Sequence, residues 1–357
     1  MGRGVRATGS RDASFGQNHE SAGLRWRLAP SYRPIRAGKD KNARVVARWE
    51  GNVIAFREIA SGLRFPEGPV ALPDGDVLVV EIARGTLTRV APDGRLTVVA
   101  SLGGGPNGAA IGPDGHVYIC NNGGFEFTDL GGILVPGHQA HDYAGGSIQR
   151  VDLSTGKAET LYTGAGDVRL RGPNDLVFDG TGGFWFTDHG KSRARERDTT
   201  GVFYAKADGS FIEEVIFPLQ APNGIGLSPD GKVLYVAETF TGRVWSFAVA
   251  GPGKIGGANG LLGHPGQLLA GPGGLNLYDS LGVDGEGHVC VATLLNGGIT
   301  AISPDGAKVE HIPFPDPLTT NICFGGPALR TAFITLSGTG RLIACDWPRP
   351  GLRLHHQ

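Results

Sequence analysis

Short apolar runs alternate with polar turn sequences along almost the whole chain after residue 45. Runs such as VLVVE, GFWFTD and VLYVAE are rich in Val, Phe and Tyr, which favour β-strands. Asp-Gly occurs eight times among these runs, and it favours type I′ hairpin turns because both residues tolerate a positive φ. The pattern therefore predicts a meander of antiparallel strands.

Six of these segments open with a short acid or amide, usually within a Pro-Asn-Gly-like phrase. The phrases lie about 40 to 67 residues apart, a period typical of stacked or radial repeats. Each unit contains four strand-like runs, so the sequence predicts an all-β, six-bladed β-propeller with four antiparallel strands per blade. We expect the outer strand of the sixth unit to come from residues 53–59, which would close the ring. The six repeated positions are Glu67, Asn107, Asn174, Asn223, Asp279 and Asn321.

The innermost strand of a propeller blade begins near the central axis, so these six side chains should ring one mouth of the channel. Carboxylate and amide oxygens suit a hard cation such as Ca²⁺, Mg²⁺ or Mn²⁺. A Zn²⁺ site is less natural without histidine, although carboxylates do bind this ion. Taken alone, Asn107 and Asn321 are more simply explained as turn residues that cap the local backbone. Glu67 and Asp279 differ, because a carboxylate near a channel needs a partner.

Four phrases in order carry a resemblance to a known family: FPEGPVALPDG, RGPNDLVFD, APNGIGLSPDGKVLYVAET and YDSLGVDGEGHVCVAT. The chain resembles the regucalcin/gluconolactonase group of six-bladed propellers, the sugar-lactone lactonases, over roughly residues 55–347. The resemblance implies a single divalent metal held by Glu67, Asn223 and Asp279. It also implies that Asn174 lies beside the metal and contacts its water or the substrate.

One position departs from the family pattern, which often has an arginine two residues before this asparagine. The chain has Gly172 there and Arg171 one step earlier, so Arg171 is only a candidate for holding the substrate. Asn107 is a further candidate for orienting substrate hydroxyls. Asp279 would serve as ligand and as general base, within reach of the attacking water.

Two insertions interrupt the repeats, residues 123–145 in the second unit and residues 189–200 in the third. Both follow the second strand of their unit, so they share one face and could form a partial lid; ordinary loops of variable length are the alternative. His189 follows a strand directly and is the favoured histidine if any histidine acts on the substrate. A loop histidine is more often a solvated surface residue.

The N-terminal segment has a different composition from the rest. Residues 1–50 contain eleven Lys/Arg and four Asp/Glu, whereas the whole chain has a net charge of −1. A basic arm for nucleic acid or an anionic surface is one interpretation. The simpler one is a disordered extension over residues 1–45, followed by a propeller lactonase domain over residues 46–357. With no secretory signal, no transmembrane run and four scattered cysteines, we expect a cytoplasmic protein without nucleic-acid or membrane partners, as a monomer or small homo-oligomer.

The repeated oxygen-bearing side chains favour a metal site, and the resemblance implies a metal-dependent hydrolase that opens a small, sugar-derived lactone. The expected cofactor is one divalent ion, with Ca²⁺ favoured and Mg²⁺, Mn²⁺ or Zn²⁺ as alternatives. Two other functions stay open. A metal-independent, strictosidine-synthase-like lyase or synthase would leave the acids and amides at the repeat positions unexplained. A non-catalytic binding propeller would carry its function on a surface patch rather than at the channel mouth.

Overall fold

The computed structural model describes Met1, Val45–Trp49 and Asn52–Gln357, and the side chains of residues 45–53 are not described. The basic segment predicted to be disordered therefore lies almost wholly outside the described residues. The described part consists of strands and connecting loops, arranged as six small antiparallel sheets around a common axis. The prediction of a six-bladed β-propeller is confirmed. No helix in the described part is long and apolar enough to cross a membrane.

The first three blades follow the predicted four-strand plan. Blade 6 also uses the two strands that come first in the chain, β1 (Val45–Trp49) and β2 (Asn52–Ser61). Blade 1 contains β3 (Pro66–Ala71), β4 (Val77–Glu81), β5 (Thr86–Val90) and β6 (Leu96–Ser101). Blade 2 contains β7 (Pro106–Ile111), β8 (Val117–Asn121), β11 (Ser147–Val151) and β12 (Ala158–Tyr162). A separate two-stranded hairpin lies between β8 and β11 in the chain and consists of β9 (Phe125–Asp129) and β10 (Leu134–Gln139). After a short pair, β13 (Gly164–Ala165) and β14 (Val168–Arg169), blade 3 contains β15 (Pro173–Phe178), β16 (Gly183–Asp188), β17 (Thr200–Lys206) and β18 (Ile212–Leu219).

The last three blades complete the circle. Blade 4 contains β19 (Pro222–Leu227), β20 (Val233–Glu238), β21 (Arg243–Gly251), β22 (Lys254–Ile255) and β23 (Gln267–Ala270). Blade 5 contains β24 (Leu277–Val283), β25 (Val289–Leu294), β26 (Gly298–Ile302) and β27 (Val309–Pro313), and blade 6 contains β28 (Thr319–Gly325), β29 (Thr331–Leu336) and β30 (Arg341–Asp346). Strand β2 pairs with β30, so the segment predicted from residues 53–59 closes the last blade, and β1 pairs with β2 as a further strand that the sequence analysis did not predict. This closure joins the two ends of the ring and protects its edge.

Apolar side chains fill the spaces between adjacent blades. One cluster joins blades 5 and 6 and another joins blades 2 and 3, each built from inward-facing strand residues. Cys120 and Cys290 lie in β8 and β25 as buried free thiols, as the sequence predicts. The blades are therefore held by packing rather than by cross-links between these cysteines.

The inner strands approach one another closely at the Pro-Asn-Gly phrases. A Cβ on Gly68 would lie 2.5 Å from the main-chain oxygen of Asn107, and one on Gly108 would lie 2.5 Å from that of Asn174. A Cβ on Gly224 would lie 2.5 Å from the main-chain nitrogen of Leu281. Glycine in these phrases thus permits contact between neighbouring blades, in addition to any role in a turn.

A register irregularity interrupts every inner strand at the same place. In β3, for example, the pairing with β4 shifts between Glu67 and Val70, and in β19 the pairing with β20 shifts between Pro222 and Ile225. The other four inner strands show the same interruption. In each inner strand the irregularity falls at or next to the polar residue of the phrase, and irregularities of this kind bend a strand and redirect its side chains.

The segment after residue 350 passes beneath the channel, at the end opposite to the phrases. Gly351 forms a β-bridge with Asp284, and Gln357 Nε2 donates to the main-chain oxygens of Ala71 (3.2 Å) and Phe324 (3.4 Å). Leu352, Leu354 and Gln357 line the lower end of a narrow cavity whose upper end reaches Asp175 and Asn321. This segment therefore covers one end of the channel.

Candidate active site at the channel mouth

The structure brings five of the channel-facing polar side chains into one group, four of them buried and Asp279 half-buried. Asn321 Nδ2 donates to Glu67 Oε2 at 2.7 Å, and the main-chain N–H of Gly68 donates to the same oxygen at 2.8 Å. On the other side, Asn223 of blade 4 lies next to Asp279 of blade 5. Asp175 completes the group, since its charge acts on Asp279 and the charge of Glu67 acts on Asp175. The mouth thus contains three acids and two amides that come from blades 1, 3, 4, 5 and 6.

Hydroxyl groups fix the orientation of Asn223. Its Nδ2 donates to Thr239 Oγ1 at 3.0 Å, and Thr187 Oγ1 donates to its main-chain oxygen at 2.5 Å. The Ser280 hydroxyl lies 3.5 Å from Asn223 Oδ1. The Asn223 amide is therefore held between hydroxyl groups, with Nδ2 on Thr239 and Oδ1 near Ser280 of the neighbouring blade 5. These contacts restrict its orientation and leave Oδ1 with only one long contact.

The three acids have strongly perturbed pKa values. Burial raises the pKa of Glu67 to about 7, although hydrogen bonds from Asn321 and Gly68 oppose the rise. Burial and the charge of Glu67 raise the pKa of Asp175 to about 8. Burial, followed by the charge of Glu67, raises the pKa of Asp279 well above its usual range. Like charges concentrated in a dry site need a counter-charge, and a cation at the mouth would lower all three pKa values.

The donor set fits a hard divalent cation. Within the described residues no cluster of three His, Cys, Asp or Glu side chains is arranged to hold a metal on its own, so amide oxygens must take part. Asn223 provides one such oxygen between the acids. Asn174 Oδ1 is a second, because it is buried without a hydrogen-bond partner, and such an atom costs free energy unless a ligand or water satisfies it. Glu67, Asn223 and Asp279 are therefore suited to hold the ion, with Asn174 beside them.

The other residues singled out from the sequence lie in different surroundings. Asn107 is buried at the mouth, 4% exposed, and its main chain packs against Gly68 of blade 1. Arg171 is exposed; its main-chain N–H donates to Asp188 Oδ2, and its main-chain oxygen accepts from the Tyr143 hydroxyl at 2.6 Å. The His189 ring contacts Phe240 in a tilted arrangement, and burial lowers its pKa to about 4, so its ring is neutral near pH 7. Neither the Arg171 nor the His189 side chain has a described contact with the three acids at the channel mouth.

Asp175 is the residue that sequence reasoning missed. It directly follows Asn174 and occupies the position that glycine holds in Pro106-Asn107-Gly108 and Pro222-Asn223-Gly224. That replacement is the signal that could have found it, because an acid in place of a close-approach glycine must either point into the channel or clash. The space around the Asp175 side chain is small, since a Cβ added to Gly108 of the neighbouring blade would lie 3.0 Å from Asp175 Oδ1.

The two insertions meet above the mouth. The main-chain N–H of Gln139 at the end of β10 donates to the oxygen of Ser192 at 3.0 Å. Lys191 Nζ, almost fully buried, donates to Asn122 Oδ1 (3.0 Å) and to the Gly124 oxygen (2.7 Å), and it lies 3.9 Å from the centre of the Phe125 ring. This buried lysine therefore fastens the second insertion to the first.

The β9–β10 hairpin also reaches blades 1 and 6. Leu134 donates its main-chain N–H to the Gly338 oxygen of blade 6 at 2.8 Å. Its apolar residues form a cluster with Phe65 and Ile82 of blade 1 and with Leu318, which leads into the inner strand of blade 6. The hairpin that begins in blade 2 thus covers part of the mouth, in agreement with the lid interpretation rather than with two independent loops.

Residues 65–338 match the family model of the SMP-30/Gluconolactonase/LRE-like region. The chain belongs to this family. Among curated proteins it is similar to a gluconolactonase of Zymomonas mobilis, with 26% identity over 303 residues and 78% of each chain covered. It is also similar to the lactonase drp35 of Staphylococcus epidermidis, with 28% identity over 284 residues, 76% of this chain and 75% of the relative.

Solved structures support the fold. A regucalcin of Agrobacterium tumefaciens, described as a calcium-binding protein, superimposes with a TM-score of 0.63 at 20% identity, covering 84% of this chain and 98% of that chain. At this identity the likeness concerns the fold alone. The resemblance inferred from the four sequence phrases is thus confirmed at the level of the family.

Proposed function

We propose that this family member is a metal-dependent lactonase that hydrolyses a small lactone to its hydroxy acid. The observation that carries the proposal is the group of acids at the channel mouth, the buried Glu67 and Asp175 and the half-buried Asp279. This group lacks a basic side chain among its described hydrogen-bond partners and lies beside the unsatisfied Asn174 Oδ1. The similarity to a gluconolactonase and to a lactonase supports the reaction class.

Glu67, Asn223 and Asp279 would hold one divalent ion, with Ca²⁺ favoured because all the donors are oxygens. When bound, the ion would polarise the lactone carbonyl and make it more electrophilic. Its charge would also keep the nearby carboxylates ionised, despite the burial that raises the pKa of Asp279 in the metal-free protein.

Asp279 acts in this proposal as the general base. Its carboxylate accepts a proton from the attacking water while the water oxygen bonds to the carbonyl carbon. The ring C–O bond then breaks, and the departing alkoxide takes up the proton from Asp279 to give the hydroxy acid. Asn174 Oδ1 accepts a hydrogen bond from the water or from a substrate hydroxyl, and Asn107 lies on the neighbouring blade, where it can orient another hydroxyl. Arg171 and His189 would contribute only if they reorient towards the substrate.

A lactone panel with matched variants tests the proposal. Ring opening is followed by proton release for a sugar lactone and for an unsubstituted lactone, with wild type, Asp279→Asn and the exposed control Asp346→Asn. We expect wild type and the control to open at least one lactone, and Asp279→Asn to lose about 10²–10⁴-fold in kcat. Equal rates for all three proteins, or no hydrolysis of any lactone by metal-loaded wild type, would refute this function.

A further inference from the structure

The contact between the hairpin and blade 1 is made by two aromatic rings. Phe127 of β9 packs against Phe65 with ring centroids 5.3 Å apart and planes inclined at 53°. Phe65 is 5% exposed and precedes Glu67 by two residues, separated from it only by Pro66. The hairpin inserted in blade 2 thus touches the segment that delivers the blade 1 acid to the mouth.

Phe65 has an unusual backbone conformation. Its φ is 56°, a left-handed value that is costly for a bulky residue and that persists only where the surroundings enforce it. Ala221, which precedes Pro222-Asn223, has a φ of 52°. The equivalent residues before Pro106 and Pro173 are glycines without a positive φ. The left-handed conformation therefore marks the two Pro phrases that carry Glu67 and Asn223, although glycine would adopt it more easily.

The two left-handed residues share one main-chain hydrogen bond and differ in the packing of their side chains. At each one the main-chain oxygen accepts a hydrogen bond, from Ile82 N–H at Phe65 (3.1 Å) and from Thr239 N–H at Ala221 (3.1 Å). Ala221 has only a methyl group to accommodate. Phe65 has a ring whose surroundings are the apolar cluster formed by Ile82, Leu134, Leu318 and the hairpin aromatics. Without the hairpin, this ring would lose its packing on that side, and the strained conformation would lose part of its support.

We propose that Phe127 is a positioning residue for the metal site: its packing on Phe65 holds the left-handed turn that aims Glu67 into the channel. The proposal rests on the metal site of the proposed function. Phe127 has no described contact with Glu67 itself, so its effect must pass through Phe65 and Pro66. The hairpin then has two roles, covering the mouth and fixing the geometry of one ligand.

Calorimetric Ca²⁺ titration of the full-length, chelator-treated protein tests this role without relying on activity. We expect Phe127→Ala to weaken Ca²⁺ binding about three- to tenfold, the range for loss of a packed aromatic pair. Leu130→Ala, at the exposed tip of the same hairpin (50% exposed), should bind as wild type does. Phe127→Leu, which keeps apolar packing, should fall between them.

A double-mutant cycle with Phe65→Gly identifies the route. Glycine tolerates the positive φ without the ring, so Phe127→Ala should weaken binding no further in that background. An equal loss in both backgrounds, or a Phe127→Ala affinity within twofold of wild type, would overturn the proposal. Should Phe127→Ala fail to fold, the cycle with Phe127→Leu decides by the same criteria. Glu67→Gln separates the two proposals: if wild type binds no Ca²⁺, or Glu67→Gln binds normally, the proposed metal site itself fails.

Discussion

Replacement of Asp175 by asparagine should stabilise the metal-free protein in a pH-dependent way. Asp175 is buried, and its pKa in the folded protein is raised to about 8 from an ordinary value of 3.8. The unfolded chain therefore releases this proton near pH 4, whereas the folded protein keeps it until about pH 8. Because the folded state binds more protons over this range, stability falls as pH rises from about 4 to 8.

The size of the effect follows from the shift. One pKa unit corresponds to about 1.4 kcal/mol, so Asp175 destabilises the metal-free fold by on the order of 5 kcal/mol at pH 8 and by almost nothing at pH 4. An asparagine side chain at this position does not titrate, so it would have no such dependence. The Asp175→Asn variant should thus match wild type at pH 4 and exceed its free energy of unfolding increasingly up to pH 8.

Urea unfolding in the presence of a chelator, at several pH values from 4 to 8.5, measures this difference. Asp346→Asn changes an exposed acid and should run parallel to wild type. Added Ca²⁺ should reduce the wild-type slope, because a cation at the mouth favours the ionised acids. If the Asp175→Asn and wild-type curves are parallel over the whole range, Asp175 does not carry a buried proton and the electrostatic description of the mouth is wrong.

Three further predictions concern the site and the two ends of the chain. At saturating metal, Asp279→Asn should lower kcat more than Asn174→Ala does, since asparagine can ligate but cannot accept a proton; equal losses in steady-state assays would limit Asp279 to ligation. Removal of residues 1–44 should leave the melting temperature and turnover nearly unchanged, whereas removal through Ser61 should abolish cooperative melting, because β1 and β2 complete blade 6. Truncation after Gly351 should lower the melting temperature by several degrees through loss of the channel cover, and an unchanged melting curve would contradict that role.

Much of the fold could be predicted because it depends on local signals. Alternating apolar runs and Asp-Gly turns define the four-strand units, and six such units at this period favour a radial arrangement. The closing strand near residues 53–59 was predictable because the sixth unit lacked an outer strand of its own, and β2 occupies that place. The family followed from four ordered phrases, of which none is specific alone.

The rest of the site depends on contacts between distant segments. The approach of Asn321 to Glu67 joins residues 254 positions apart, and no local pattern shows which of the four amides would reach which acid. The left-handed conformation of Phe65 contradicts its local preference, and its ring packs in a cluster with residues of the hairpin and with Leu318, all distant in sequence. Asp175 was overlooked because the repeat was aligned on its asparagine, and the acid in the glycine position becomes informative only once the close approach of the strands is known.

Metal content measured together with lactone opening tests the central claim most directly. The protein is stripped with a chelator, its residual metal is measured by elemental analysis, and turnover is followed while Ca²⁺, Mg²⁺, Mn²⁺ or Zn²⁺ is added back. Our account predicts that turnover disappears with the metal and returns as about one ion binds per chain through the Glu67, Asn223 and Asp279 oxygens. Full lactone turnover by protein shown to contain no metal would contradict it.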